Sequence, residues 1–141
     1  MSMGSVPGDS WSVVFNTMKS LRTSWPQRGW SWDGRLSCVS SSFNVEIEPA
    51  ARAAAAVALP EEWSPTTLSQ APAHLREVAE RAGGMRSGQL LLSGAPVGRA
   101  FAYGLWWPWG DGTTTSLRIG LGLDAREEVF GRFRDVFGVS L

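Results

Sequence analysis

The sequence predicts an α+β fold: one small domain with an antiparallel sheet, made of a three-stranded C-terminal meander plus one or two N-terminal strands, packed with three to four helices. Three observations predict it. Apolar residues recur at three- and four-residue intervals near both ends of the chain and around residue 78. Between residues 88 and 122, three apolar-rich segments follow one another with only turn residues between them. The length of 141 residues suits a single domain, and at that size folding hides about 68% of the unfolded surface.

Trp11, Val14, Phe15, Met18 and Leu21 fall on one helical stripe behind Asp9 and Ser10, either of which can cap a helix over about 10–22. Trp11, Val13 and Phe15 also alternate, so a short first strand is the competing reading. Residues 1–8 are expected to be a flexible N-terminus, leaving 9–141 as the α+β domain. The stretch from Trp25 to Gly34 is rich in turn formers yet carries Trp25, Trp30 and Trp32, so it reads as an irregular loop with large apolar anchors. From Leu36 to Glu48 the apolar residues change parity, Leu36 and Cys38 being even and Phe43, Val45 and Ile47 odd. Because a strand repeats every two residues, two strands or one bulged strand are expected, with the break near 40–42. Pro49 at the first helical position opens an Ala-rich helix to about Leu59, which Pro60 ends.

Pro60, Pro65 and Pro72 punctuate a connector of short helical turns that holds Trp63 and Leu68. Pro72 starts the next helix, whose stripe is Leu75, Val78, Ala79 and Ala82 and whose end is Gly83-Gly84. Strands are predicted over about 88–93, 99–109 and 113–122, with turns at Gly94-Ala95-Pro96 and Gly110-Asp111-Gly112. Asp124 and Glu127 resemble a capping box for a final helix, with Val129, Phe130, Phe133, Val136 and Phe137 as its apolar face and Gly138 as its stop.

Turn length decides which face the last hairpin buries. A two-residue Asp111-Gly112 turn sets Leu105 opposite Arg118 and Tyr103 opposite Gly120, which places apolar residues on both faces. A three-residue Gly110-Asp111-Gly112 loop sets Leu105 opposite Leu117 and Tyr103 opposite Ile119, gathering the large apolar residues on one face. The second register is preferred, since Gly112 can adopt the left-handed conformation such a loop wants. It makes Trp106 and Arg118 diagonal neighbours on the other face, within stacking distance.

Composition excludes several classes of function. Thirteen basic and thirteen acidic side chains cancel, so no field draws in phosphate backbones or anionic lipid, and no nucleic acid or membrane partner is expected. Cys38 and His74 are the lone residues of their types, so neither an intramolecular disulfide nor a Cys/His zinc cage can form, and no metal or cofactor is expected. The N-terminus has no apolar leader and no stretch approaches a membrane span, which makes a cytoplasmic location the expectation.

Little catalytic chemistry is visible. Gly120-Leu121-Gly122-Leu123-Asp124-Ala125 matches a dinucleotide fingerprint, but no second strand with an acidic residue follows it, and Asp124 would repel a pyrophosphate. Asn44, Glu46 and Glu48 line one face of an alternating strand, and His74 sits in a helical first turn; an enzyme would have to bring Glu46, Glu48 and His74 together in space. Eight tryptophans are the strongest signal. Trp suits protein interfaces, sugar platforms and cores alike. The reading is a non-catalytic protein–protein interaction module, of adaptor, inhibitor, immunity or small-chaperone type. Its candidate anchors are Trp106, Trp109, Asp111 and Arg118 on the hairpin, with Trp30 and Trp32. A small-molecule or carbohydrate binder is the alternative.

Overall fold

Strand pairing sets the plan of the molecule. The computed structural model describes residues 7–122 and 125–139. In chain order these form α1 (Pro7–Ser24), β1 (Ser31–Asp33), β2 (Cys38–Asn44), α2 (Glu48–Ala58), β3 (Glu61–Trp63), α3 (Ala73–Arg81), β4 (Leu90–Ser93), β5 (Ala102–Pro108), β6 (Thr114–Leu121) and α4 (Glu127–Phe137). The six strands make one antiparallel sheet in the order β1-β2-β6-β5-β4-β3. Every connection joins neighbouring strands except the one from β2 to β3, which crosses to the opposite edge by way of α2. The fold is α+β as predicted, with more strands than the meander and its one or two companions. No helix among the described residues is long and apolar enough to cross a membrane.

Both sheet faces are covered, though unequally. On the first face, Val39, Phe43, Leu92, Trp106, Leu117 and Ile119 pack beneath α1, α2 and α4. The Ala-rich sequence of α2 lets it approach closely, with Ala51, Ala54, Ala55 and Ala58 buried. On the second face, α3 packs Leu75, Val78 and Ala79 against Leu91, Phe101, Tyr103 and Leu105 of the β4–β5 side. The β1-β2-β6 side contributes nothing to that cluster.

This two-sided burial corrects the hairpin register. Leu105 pairs with Arg118, Tyr103 with Gly120 and Trp106 with Leu117, the register of the shorter turn. Trp109 N donates to Thr114 O at 2.8 Å, so the loop between that pair is 110–113, with Gly112 left-handed at φ 74°. The one-face argument fails because it presumes a sheet with one wet side, whereas helices on both sides accept apolar residues of either parity.

Other departures are local. α1 begins at Pro7 and runs through Trp11, Val13 and Phe15, so helix takes the place of the competing first strand; residues 1–6 lie outside the described residues. β2 pairs with β6 without a bulge, from Cys38↔Gly120 to Asn44↔Thr114. The parity change instead reflects a turn at 34–37, with Ser37 at φ 51°, and a 3-10 turn at Val45–Ile47. Glu61–Trp63, expected within a helical connector, is a strand held by β4 and by an ion pair from Arg52 of α2 to Glu62. Asp124 lies outside the described residues, and α4 begins behind Arg126. Gly138 ends α4 in the left-handed region, as expected, and its N–H and that of Val139 bond to Asp135 O and Arg134 O.

Candidate functional site

The half of the second face that α3 leaves uncovered presents short polar side chains around one arginine. Alternation along β2 and β6 sends Ser40, Ser42, Ser116 and Arg118 to this side, and β5 adds Trp107. Arg118 Nε lies 3.5 Å from Asp33 Oδ2 of β1, with about a fifth of each side chain exposed. The guanidinium stacks over the Trp107 indole, 5.0 Å from the ring centroid. Trp109, beyond the end of β5, folds back onto the same surface. Its Nε1 donates to Ser116 Oγ at 2.6 Å, and that hydroxyl is 3.0 Å from Ser42 Oγ. The Trp109 indole is nonetheless 49% exposed.

Two donors at the centre of this surface are buried without a hydrogen-bond acceptor among the described residues: Trp107 Nε1 and Arg118 Nε. The Asp33 carboxylate is near enough to Arg118 Nε for charge attraction, but it is not aligned to accept from it. Buried donors are almost always paired, so these two leave this part of the face short of its full complement of hydrogen bonds.

Asp111 shapes the tip. Its Oδ1 accepts from Thr113 N and Thr114 N, both at 2.9 Å, and its Oδ2 from Thr114 Oγ1 at 2.8 Å. Those bonds hold the carboxyl below the ordinary aspartate range. The exposed carboxylate therefore rigidifies the loop on which Trp109 is carried.

The remaining sequence candidates lie elsewhere. Trp106 is 2% exposed, packed on Phe43 at 5.2 Å and covered by the Arg52 guanidinium. It is core on the first face, opposite to Arg118, so the predicted diagonal pairing of the two is wrong and Trp107 holds that place. Trp30 and Trp32 are half-buried against α4: Trp30 meets Phe137 at 4.7 Å and Trp25 at 5.1 Å, and Trp32 meets Phe130 at 6.2 Å under Arg134.

Asn44 Oδ1 accepts from Glu46 N to cap the 3-10 turn and Glu48 opens α2, so Asn44, Glu46 and Glu48 do not form the strand face expected of them, and His74 packs edge-on against Phe101 at 4.6 Å. Cys38 is fully buried, and burial, reinforced by Asp33, pushes its thiol up to about 12, well away from nucleophile chemistry. Among the described residues no three His, Cys, Asp or Glu side chains gather as metal ligands would.

Comparison of the chain with protein-family models, with curated proteins and with solved structures gives no match.

Proposed function

We propose that this protein is a non-catalytic protein-binding module whose partner docks an extended segment on the open half of the second sheet face. Trp109, Trp107 and Arg118 are its anchors. The observation that carries the reading is the half-exposed Trp109 indole, tied to Ser116 on a face of short polar side chains around the part-exposed Arg118 guanidinium. A polypeptide supplies both things such a surface can take: carbonyl or carboxylate oxygens for the exposed part of the Arg118 guanidinium and apolar groups for the indole. Trp and Arg are also the residue types in which binding energy concentrates. With Glu46 and Glu48 off a shared strand face and Cys38 inert, the same chain offers little for catalysis.

The test is recovery of partners from the native host by the wild-type protein and by Trp109→Ala, followed by direct titration of the recovered partner. Binding should weaken by about 2 kcal/mol or more, roughly thirtyfold, while the melting temperature hardly moves. If affinity falls only in step with lost stability, Trp109 is architecture. If a metabolite co-purifies and no specific protein does, a small-molecule binder is the better description.

A further inference from the structure

At the other end of the second face, α3, the turn before β2 and the start of β5 enclose a cavity of about 470 Å³. That volume lies within the range of about 300–1,000 Å³ typical of small-ligand sites. Tyr103, Leu105, Val78 and Phe130 are among the large side chains that line it, and Arg35 and Arg81 are the charged ones. No acidic side chain among the described residues lines it.

We infer that this cavity binds a small organic anion with an apolar body, its charged group held between Arg35, Arg81 and the Tyr103 hydroxyl. The inference stands apart from the partner-binding surface and does not rest on it. Arg81 has no carboxylate within ion-pair distance among the described residues. Arg35 reaches Asp33 at only 3.9 Å and is 85% exposed, so its guanidinium is free to turn inward. The Tyr103 hydroxyl makes no hydrogen bond to a described residue, and it lies over Gly120, where any side chain would displace it. Burial keeps this phenol protonated far beyond neutral pH, so it faces a ligand as a donor. Two cations and one donor among apolar side chains suit a carboxylate or sulfonate on an aromatic or aliphatic frame. A cation would meet repulsion, and a neutral apolar molecule would leave the donors unused.

Calorimetric titration of the intact protein with 1-naphthoate, and with the neutral isostere 1-naphthylmethanol, tests this. Naphthoate should saturate one site at or below about 1 mM, and the alcohol should bind roughly tenfold more weakly. Arg81→Gln and, separately, Tyr103→Phe should weaken naphthoate by roughly fivefold or more without changing the affinity for the alcohol. Trp109→Ala, which removes the proposed partner anchor, should leave naphthoate binding unchanged. No saturation by about 1 mM, equal affinities for acid and alcohol, or indifference to both Arg81→Gln and Tyr103→Phe would overturn the inference, as would loss of binding in Trp109→Ala.

Discussion

Tyr103 and Gly120 face each other across β5 and β6, and the phenol tip of Tyr103 occupies the space that a side chain on Gly120 would need. The glycine is set by this close approach, since a Cβ there would run into Tyr103 Oη and Cζ. Gly120→Ala should therefore cost about 1–3 kcal/mol, the usual penalty for overpacking. In a Tyr103→Leu background, where those tip atoms are gone, the same change should cost clearly less. Denaturant titrations of the four proteins measure the coupling, and equal costs in both backgrounds would refute it.

Trp106 and Trp109 lie three residues apart and should respond oppositely to truncation. Trp106→Ala opens the first-face core beneath α2 and should cost about 3–5 kcal/mol, enough to remove most of the stability of a typical domain. Trp109→Ala loses one hydrogen bond to Ser116 and modest packing, and should cost about 1 kcal/mol or less. Thermal melts of the two variants side by side settle which indole is structural.

Alkaline pH should destabilise the protein, and two buried groups should contribute to the loss. Burial raises Cys38 from 9.0 to about 12 and Tyr103 from 10.0 to about 12. Each folded-state value exceeds its unfolded value, so the unfolded chain releases protons first. The stability contributed is complete below about pH 9 and is lost as pH rises toward 12. A Cys38→Ala/Tyr103→Phe double variant should show a flatter decline of unfolding free energy over that window. The native thiol should also resist alkylating reagents at pH 8 until the fold opens.

Removing α4 should abolish cooperative folding. Phe133 and Phe137 are almost fully buried, the first against Phe15 at 6.2 Å and the second against Trp30, while Arg22 Nη1 of α1 donates to Val136 O at 2.8 Å. A chain ending at residue 126 should lose its sigmoidal melt. Retention of that melt would mean that the phenylalanines serve a surface other than the core.

Helical stripes were the most readable part of this chain. The spacing of Phe133 and Phe137 and the stop at Gly138 survive in α4, and Pro49 and Gly83-Gly84 bracket α2 and α3 as expected, because capping chemistry and 3.6-residue periodicity are local. Register was not readable from residues 101–121 alone, since it depends on α3 covering Tyr103 and Leu105 from the second side. β3 escaped notice for the same reason: Glu61-Glu62-Trp63 has no strand pattern of its own and is ordered by pairing with β4 and by the Trp63 Nε1 bond to Ser93 Oγ. Of the candidate site, Trp109 and Asp111 were marked by turn chemistry, and Arg118 by its place as a large cation on a strand face of mostly small residues. Trp107 was missed because the wrong register sent it to the core, although the large Tyr103 opposite the bare Gly120 hinted at the right one.

The strand order also imposes a schedule on synthesis. β2 finds its long partner only in β6, so Asn44 waits for Thr114, 70 positions later in the chain. At about 5–20 residues per second, that is a delay of roughly 4–14 s between making one strand and making the other. Throughout it, the emerging first half carries Val39, Phe43 and the inner face of α1 with neither β6 nor α4 to cover them. Pairings so distant in sequence close slowly, and unpaired strand edges attract other chains. The nascent protein is thus most exposed to aggregation between completion of α2 and arrival of β6, and holding factors at the ribosome would matter most in that interval.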